Sequence, residues 1–182
     1  MRRTAATLTT LTAVLALGAA ATMAGAASCS GSLPGSNAVP GWQTMAGGTL
    51  SGSMGSKASF DAYDGAVETM RDAQGIRFFA QRVFKRAKPK GYLTVDVYQF
   101  ASVAQAQAFY ARSKADYRLA KLLTSFSGVK DQAFAGALGG AAAGFCRRGK
   151  YLCQVSISGG ATAQDIQTAK AFVAYVSRKL GS

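Results

Sequence analysis

What this chain can fold into is limited first by its N-terminal segment, MRRTAATLTTLTAVLALGAAATMAGAASCS. Arg2 and Arg3 make a basic start, an apolar stretch runs from about Leu8 to Met23, and small residues lead to Cys29. That order is the one a secretory signal has. A membrane-spanning helix takes about 20 predominantly apolar residues, whereas Thr7, Thr9, Thr10 and Thr12 dilute this stretch. Residues 1–28 therefore read as a signal peptide, and the fold has to be built from roughly 150 residues, the size of one domain with one core. The expected location is extracytoplasmic, either secreted or lipid-anchored to the cell membrane.

Two processing sites fit. Ala24-Gly25-Ala26 has the A-x-A form of an ordinary signal-peptidase site, and Ala26-Ala27-Ser28-Cys29 resembles a bacterial lipobox with Ala26 where Leu is usual. An odd cysteine in an exported chain needs an explanation, and there are three: Cys29, Cys146 and Cys153. Cys146 and Cys153 flank Arg147-Arg148-Gly149-Lys150-Tyr151-Leu152, which reads as two strands around a Gly149-Lys150 turn and sets the cysteines opposite each other. An oxidising compartment favours their joining. A strict two-residue turn puts the pair at a hydrogen-bonded position, where a cross-strand bridge fits less comfortably, so two free thiols stay open as the alternative. The bridge leaves Cys29 single and placed for lipidation, which would supply a membrane attachment.

Residues 29–59 are rich in Gly and Ser and contain Pro34 and Pro40, a composition that suits a flexible tether. Trp42 suggests that order begins near Gly41, ahead of a single domain over 60–182. The formal charge is +13; Arg2 and Arg3 contribute two of it, so the remainder carries +11. Such a balance concerns partners and solubility, not fold. The densest basic run is Arg82, Lys85, Arg86, Lys88 and Lys90. Export argues against nucleic acid as its partner, charge runs usually mark solvated surface, and an anionic wall polymer or lipid headgroup is the functional alternative.

Phe60, Tyr63, Val67, Met70 and Ala73 recur at helical spacing between Ser59 and Gly75, which predicts a helix over 60–74. Ile76 to Lys85 and Tyr92 to Phe100 read as a hairpin around Lys88-Pro89-Lys90-Gly91, with Leu93, Val95 and Val97 on one side of the second strand and Tyr92, Thr94 and Asp96 on the other. Ser102 caps a helix whose stripe is Val103, Ala106, Phe109, Tyr110 and Tyr117. A short strand near Gln132 to Phe134, a loop of Gly and Ala from Ala135 to Gly144, and a hairpin over Phe145 to Ser158 follow, with Tyr151, Cys153, Val155 and Ile157 on one face. Thr162 and Asp165 form a capping box, opening a helix that turns Ile166, Ala169, Phe172, Val173, Val176 and Leu180 inward. The order helix, hairpin, helix, hairpin, helix predicts an α+β fold: an antiparallel sheet of four or five strands with helices packed on one face.

The chemistry is narrow. No histidine is present, which removes the usual general base, the Ser-His and Cys-His pairs and the commonest metal ligand. Two cysteines and scattered carboxylates do not spell a four-ligand zinc site, and Gly139-Gly140 lacks the Lys and Ser or Thr of a phosphate loop. No cofactor and no metal are expected. Asp61, Asp64, Glu68 and Asp72 share one helix ridge. A carboxylate pair can cleave glycosidic bonds, but acids early in a helix are favoured by its dipole in any case. An enzyme would have to rest on Glu68 or its neighbours, and none is the main expectation.

Tyr63-Asp64-Gly65-Ala66-Val67-Glu68, the break at Gly75, the strand ending in Val83-Phe84, the strand Val95-Asp96-Val97-Tyr98-Gln99-Phe100 and Phe109-Tyr110 resemble a domain family of exported bacterial proteins without an assigned activity. Arg148-Gly149-Lys150-Tyr151 and the alternation to Ile157 are similar to that family's hairpin, and the likeness spans about Gly41 to Ser158. Val67 intervenes between Ala66 and Glu68, and cysteines replace residues that are Trp and Tyr or Val there. The segment Val129 to Leu180 also resembles ligand-sensing or lipoprotein domains of high-GC bacteria. The resemblance implies Tyr63, Gly65 and Glu68 as candidate ligand-binding residues. The expectation is a tethered, non-catalytic envelope domain that binds an unidentified envelope component or protein through its sheet or hairpin tips.

Overall fold

The computed structural model describes residues 28–53, 75–119, 123–124, 129, 132–138, 140–158 and 162–180. The segment expected as a signal peptide, as far as residue 27, and the predicted helix over 60–74, with Tyr63, Gly65 and Glu68, lie outside them. A single helical turn at 28–31 precedes β1 (Gln43–Ser53). Then come β2 (Ile76–Arg86), β3 (Gly91–Phe100), α1 (Val103–Leu119), β4 (Leu123–Thr124), β5 (Gln132–Leu138), β6 (Ala141–Arg148), β7 (Tyr151–Ser158) and α2 (Ala163–Lys179).

The strands form one sheet in the order β1-β2-β3-β7-β6-β5-β4, every neighbouring pair antiparallel. It is two meanders joined at β3 and β7, with α1 carrying the chain from the centre to the far edge. The expected four or five strands are thus six long ones and the two-residue β4. Two segments account for the difference. Gln43–Ser53, taken from composition as tether, pairs with β2 from Gln43↔Lys85 to Ser53↔Phe78 across a register shift between Thr44 and Thr49. The Gly and Ala run, expected as a loop, is most of β5 and β6, paired from Gln132↔Arg147 to Leu138↔Ala141. Ladder hydrogen bonds use backbone groups that every residue carries, so small side chains do not prevent a strand.

The helices cover both faces, not one. Neighbouring residues of a strand point to opposite sides, and here they enter different cores. Leu93, Val95, Val97, Cys146, Cys153, Val155 and Ile157 pack with Ala169, Phe172, Val173, Val176 and Leu180 of the α2 region, and with Cys29, Leu33, Val39 and Trp42. Tyr98, Phe100, Phe134, Phe145 and Leu152 pack with Ala106, Phe109 and Tyr110 of α1. In that second core Phe134 stacks on Phe145 at 4.7 Å and meets Tyr110 edge-on at 5.3 Å. The one-face expectation fails because Tyr98, Phe100, Phe145 and Leu152 are as apolar as their neighbours across the sheet. The segment read as tether is therefore part of the first core, from Cys29 to Trp42.

Both described helices begin as expected. The Gln105 amide donates to Ser102 Oγ at 3.2 Å, and Thr162 with Asp165 makes a full capping box. Val103, placed on the α1 stripe, is instead half-exposed. At the end of α2 the Leu180 carbonyl accepts from Arg148 Nη1 at 3.3 Å, which satisfies one of the terminal acceptors.

Helix α2 comes closest to the sheet over Gly144, where an added Cβ would lie 2.8 Å from Val173 Cγ2 and 3.4 Å from the Ala169 carbonyl oxygen. Gly144→Ala is expected to cost about 1–3 kcal/mol through overpacking. Denaturant melts should show the Gly144→Ala/Val173→Ala pair losing less than the sum of its single changes, because the two sites touch.

Candidate functional site

The β2–β3 hairpin ends in the turn at 87–90, and strand alternation divides the basic run that precedes and fills it. Arg82 and Arg86 face the first core. Arg82 donates from Nη1 to the Pro34 carbonyl at 2.6 Å and from Nε to Thr49 Oγ1 at 3.1 Å, which pins the N-terminal segment to β2. Arg86 lies over the Trp42 ring at 4.7 Å, donates from Nε to the Pro89 carbonyl at 2.9 Å and pairs through Nη2 with Asp165 Oδ1 at 3.2 Å. Gly91 is its register partner, and a Cβ there would stand in ordinary contact with Arg86 Nη2 and Trp42 Cη2, at 3.4 and 3.7 Å.

Asp165 thus does more than cap α2. Burial by itself would raise its pKa, but the Thr162 hydroxyl, the Arg86 guanidinium and the Thr162 amide outweigh burial and hold the carboxyl below its ordinary 3.8. The Thr162 hydroxyl donates to Oδ2 at 2.7 Å.

Lys85, Lys88 and Lys90 are exposed and, among the described residues, form no ion pair. Lys85 stands in a row across three strands, Gln43↔Lys85 and Lys85↔Tyr92. Tyr92 is 44% exposed. These residues, with Lys90, Arg86, Ala87, Gly41 and Gly91, line a cavity of about 460 Å³. Among the described residues its wall carries two lysines, an accessible aromatic ring and an amide, and no carboxylate. Such a site can take an anionic group against the ammonium ions and lay an apolar or sugar-like surface on the ring. A second cavity of about 320 Å³ lies between α1 and β5, lined by Gln107, Tyr110, Ala111, Lys114, Ala115 and Gln132. There burial pushes the Tyr110 hydroxyl up to about 12 against the opposing charge of Arg147, so it is a neutral hydrogen-bonding group.

Of the residues singled out in the sequence, Lys85 and Lys90 share one cavity wall that Arg86 also lines, while Arg82 and Arg86 engage in structural contacts. Cys146 and Cys153 form a disulfide with Cα atoms 5.1 Å apart, at directly paired positions. A disulfide points to an oxidising, extracytoplasmic environment. Among the described residues no helix is long and apolar enough to cross a membrane, and no cluster of three or more metal-ligating side chains occurs. Cys29, expected as the acylated residue, has no exposed surface, and burial pushes its thiol up to about 12. Gln43 and Tyr92 were not singled out as site residues. Tyr92 was legible as outward-facing from strand alternation, but Gln43 lay in the presumed tether. No family model, curated protein or solved structure matches the chain.

Because its folded pKa is lowered, Asp165 contributes stability that is fully present above 3.8 and is lost as the pH falls through the folded value. Asp165→Asn should cost about 1.5–3 kcal/mol near pH 6, and urea titrations at descending pH should show the gap closing below about 3.8. At pH 8 the Cys29 thiol should react with iodoacetamide only as fast as the protein opens, with added denaturant accelerating the reaction.

Proposed function

We propose that this chain is a non-catalytic extracytoplasmic binding domain that recognises an anionic component of the cell envelope at the tip of the β2–β3 hairpin. The supporting observation is the cavity of about 460 Å³, where Lys85 and Lys90 meet Tyr92 and Gln43 with no carboxylate among the described lining residues. Arg86, by contrast, is neutralised by Asp165 and serves to hold the tip against α2 and Trp42. The site therefore presents two exposed ammonium groups, suited to phosphate or carboxylate groups repeated along a polymer. The net charge, +13 for the full sequence and +11 without Arg2 and Arg3, draws such a partner in before contact is made. Kinship with the exported family suggested by Tyr63, Gly65, Glu68 and the strand Val95–Phe100 belongs to the same proposal and rests on sequence pattern alone.

Short-chain inorganic polyphosphate is a suitable probe, with binding followed by calorimetric titration. Lys85→Ala/Lys90→Ala should weaken it on the order of tenfold, about 1.4 kcal/mol, while Lys114→Ala at the second cavity leaves it unchanged. Affinity should fall steeply with salt, since the screening length contracts from about 10 Å at 0.1 M to about 3 Å at 1 M. Binding that ignores the double substitution, or stays flat with salt, overturns the reading.

A further inference from the structure

Cys29 and the residue before it are structural parts of the domain. The Cys29 side chain has no exposed surface and shares the first core with Leu33, Val39, Trp42 and Leu180. Ser28 opens the helical turn at 28–31. Its hydroxyl donates to the Tyr151 hydroxyl oxygen at 3.3 Å, and its carbonyl lies 3.1 Å from Ser32 Oγ, which is also 3.1 Å from the Lys179 carbonyl. The turn is thereby joined to β7 and to the end of α2.

Acylation at Cys29 demands the opposite arrangement. The chain would have to be cut between Ser28 and Cys29, discarding Ser28 and its bond to Tyr151. A diacylglyceryl thioether would also have to sit on a sulfur that has no path to solvent, drawing the turn off the sheet and uncovering Leu33 and Trp42. Cleavage at Ala24-Gly25-Ala26 disturbs none of this, because it leaves Ala27 and Ser28 ahead of the buried cysteine.

We propose that the leader is removed by hydrolysis of the Ala26–Ala27 peptide bond, and that Cys29 remains an unmodified core thiol in a protein released without a lipid anchor. Water adds across the bond, leaving a carboxylate on Ala26 and an amine on Ala27, and the catalyst is the ordinary signal peptidase of the exporting cell, which reads small residues at these positions. The inference is independent of what the hairpin tip binds.

The full chain, expressed in an exporting bacterium, is tested by intact mass and N-terminal sequencing of its membrane and soluble fractions. The expected product begins at Ala27, lacks acyl mass, is lighter by the hydrogens lost in the disulfide, and is recovered outside the membrane fraction. A product beginning at acylated Cys29 overturns the proposal, and so does any other first residue. Cys29→Ser supplies a readout that does not depend on folding: unchanged leader removal supports the proposal, and accumulation of the uncut precursor overturns it, because a lipoprotein precursor requires that sulfur for processing.

Discussion

The central strands of this sheet are apolar on both faces, and the rest of the structure follows from the need to keep both faces out of water. Burying one such side chain is worth roughly 1.5–3 kcal/mol, and β3 alone carries Leu93, Val95 and Val97 on one side and Tyr98 and Phe100 on the other. One helix cannot serve both. Helix α2 takes the first face over β5, β6 and β7, α1 takes the second, and the N-terminal stretch from Cys29 to Trp42 completes the first face beside α2.

The N-terminal cover is held by a few polar contacts set among apolar ones. Arg82 reaches Pro34, Ser32 reaches the end of α2, and Trp42 lies between Arg86 and Phe172, whose ring is 6.3 Å away. Arg86 is the junction, since its guanidinium touches the hairpin turn, the tryptophan and Asp165 at the start of α2. A charge so nearly buried is stabilising only when its partner and hydrogen bonds are all present, and here Pro89 comes from its own turn while Trp42 and Asp165 come from distant parts of the chain. One basic run is thereby divided, with Arg82 and Arg86 held in contacts across the fold and Lys85, Lys88 and Lys90 exposed.

Local signals were legible where they depend on neighbours in sequence. The hairpin of β2 and β3, the capping box at Thr162 and the inward stripe of α2 all follow from periodicity and end chemistry, and the facing cysteines follow from the Gly149-Lys150 turn. The signals that misled were compositional. Glycine, serine and alanine suggested a tether over 29–59, ordered from near Gly41 at the earliest, and a loop over Ala135 to Gly144, yet the described residues 29–53, 135–138 and 140–144 supply strands and core cover because their partners, β2 and α2, supply the side chains they lack. Gly144 is small for α2 to approach, not for the chain to bend.

The sequence by itself determined the strand and helix periods, the paired cysteines and the absence of histidine chemistry, since each is a property of residues near one another or of composition. Tertiary structure alone decided that the helices split between two faces, that Arg86 finds Asp165 at a separation of 79 residues, and that Cys29 ends in the core. The physical reason is the same in each case: burial and ion pairing depend on which surfaces meet across the sheet, and no local spacing encodes that.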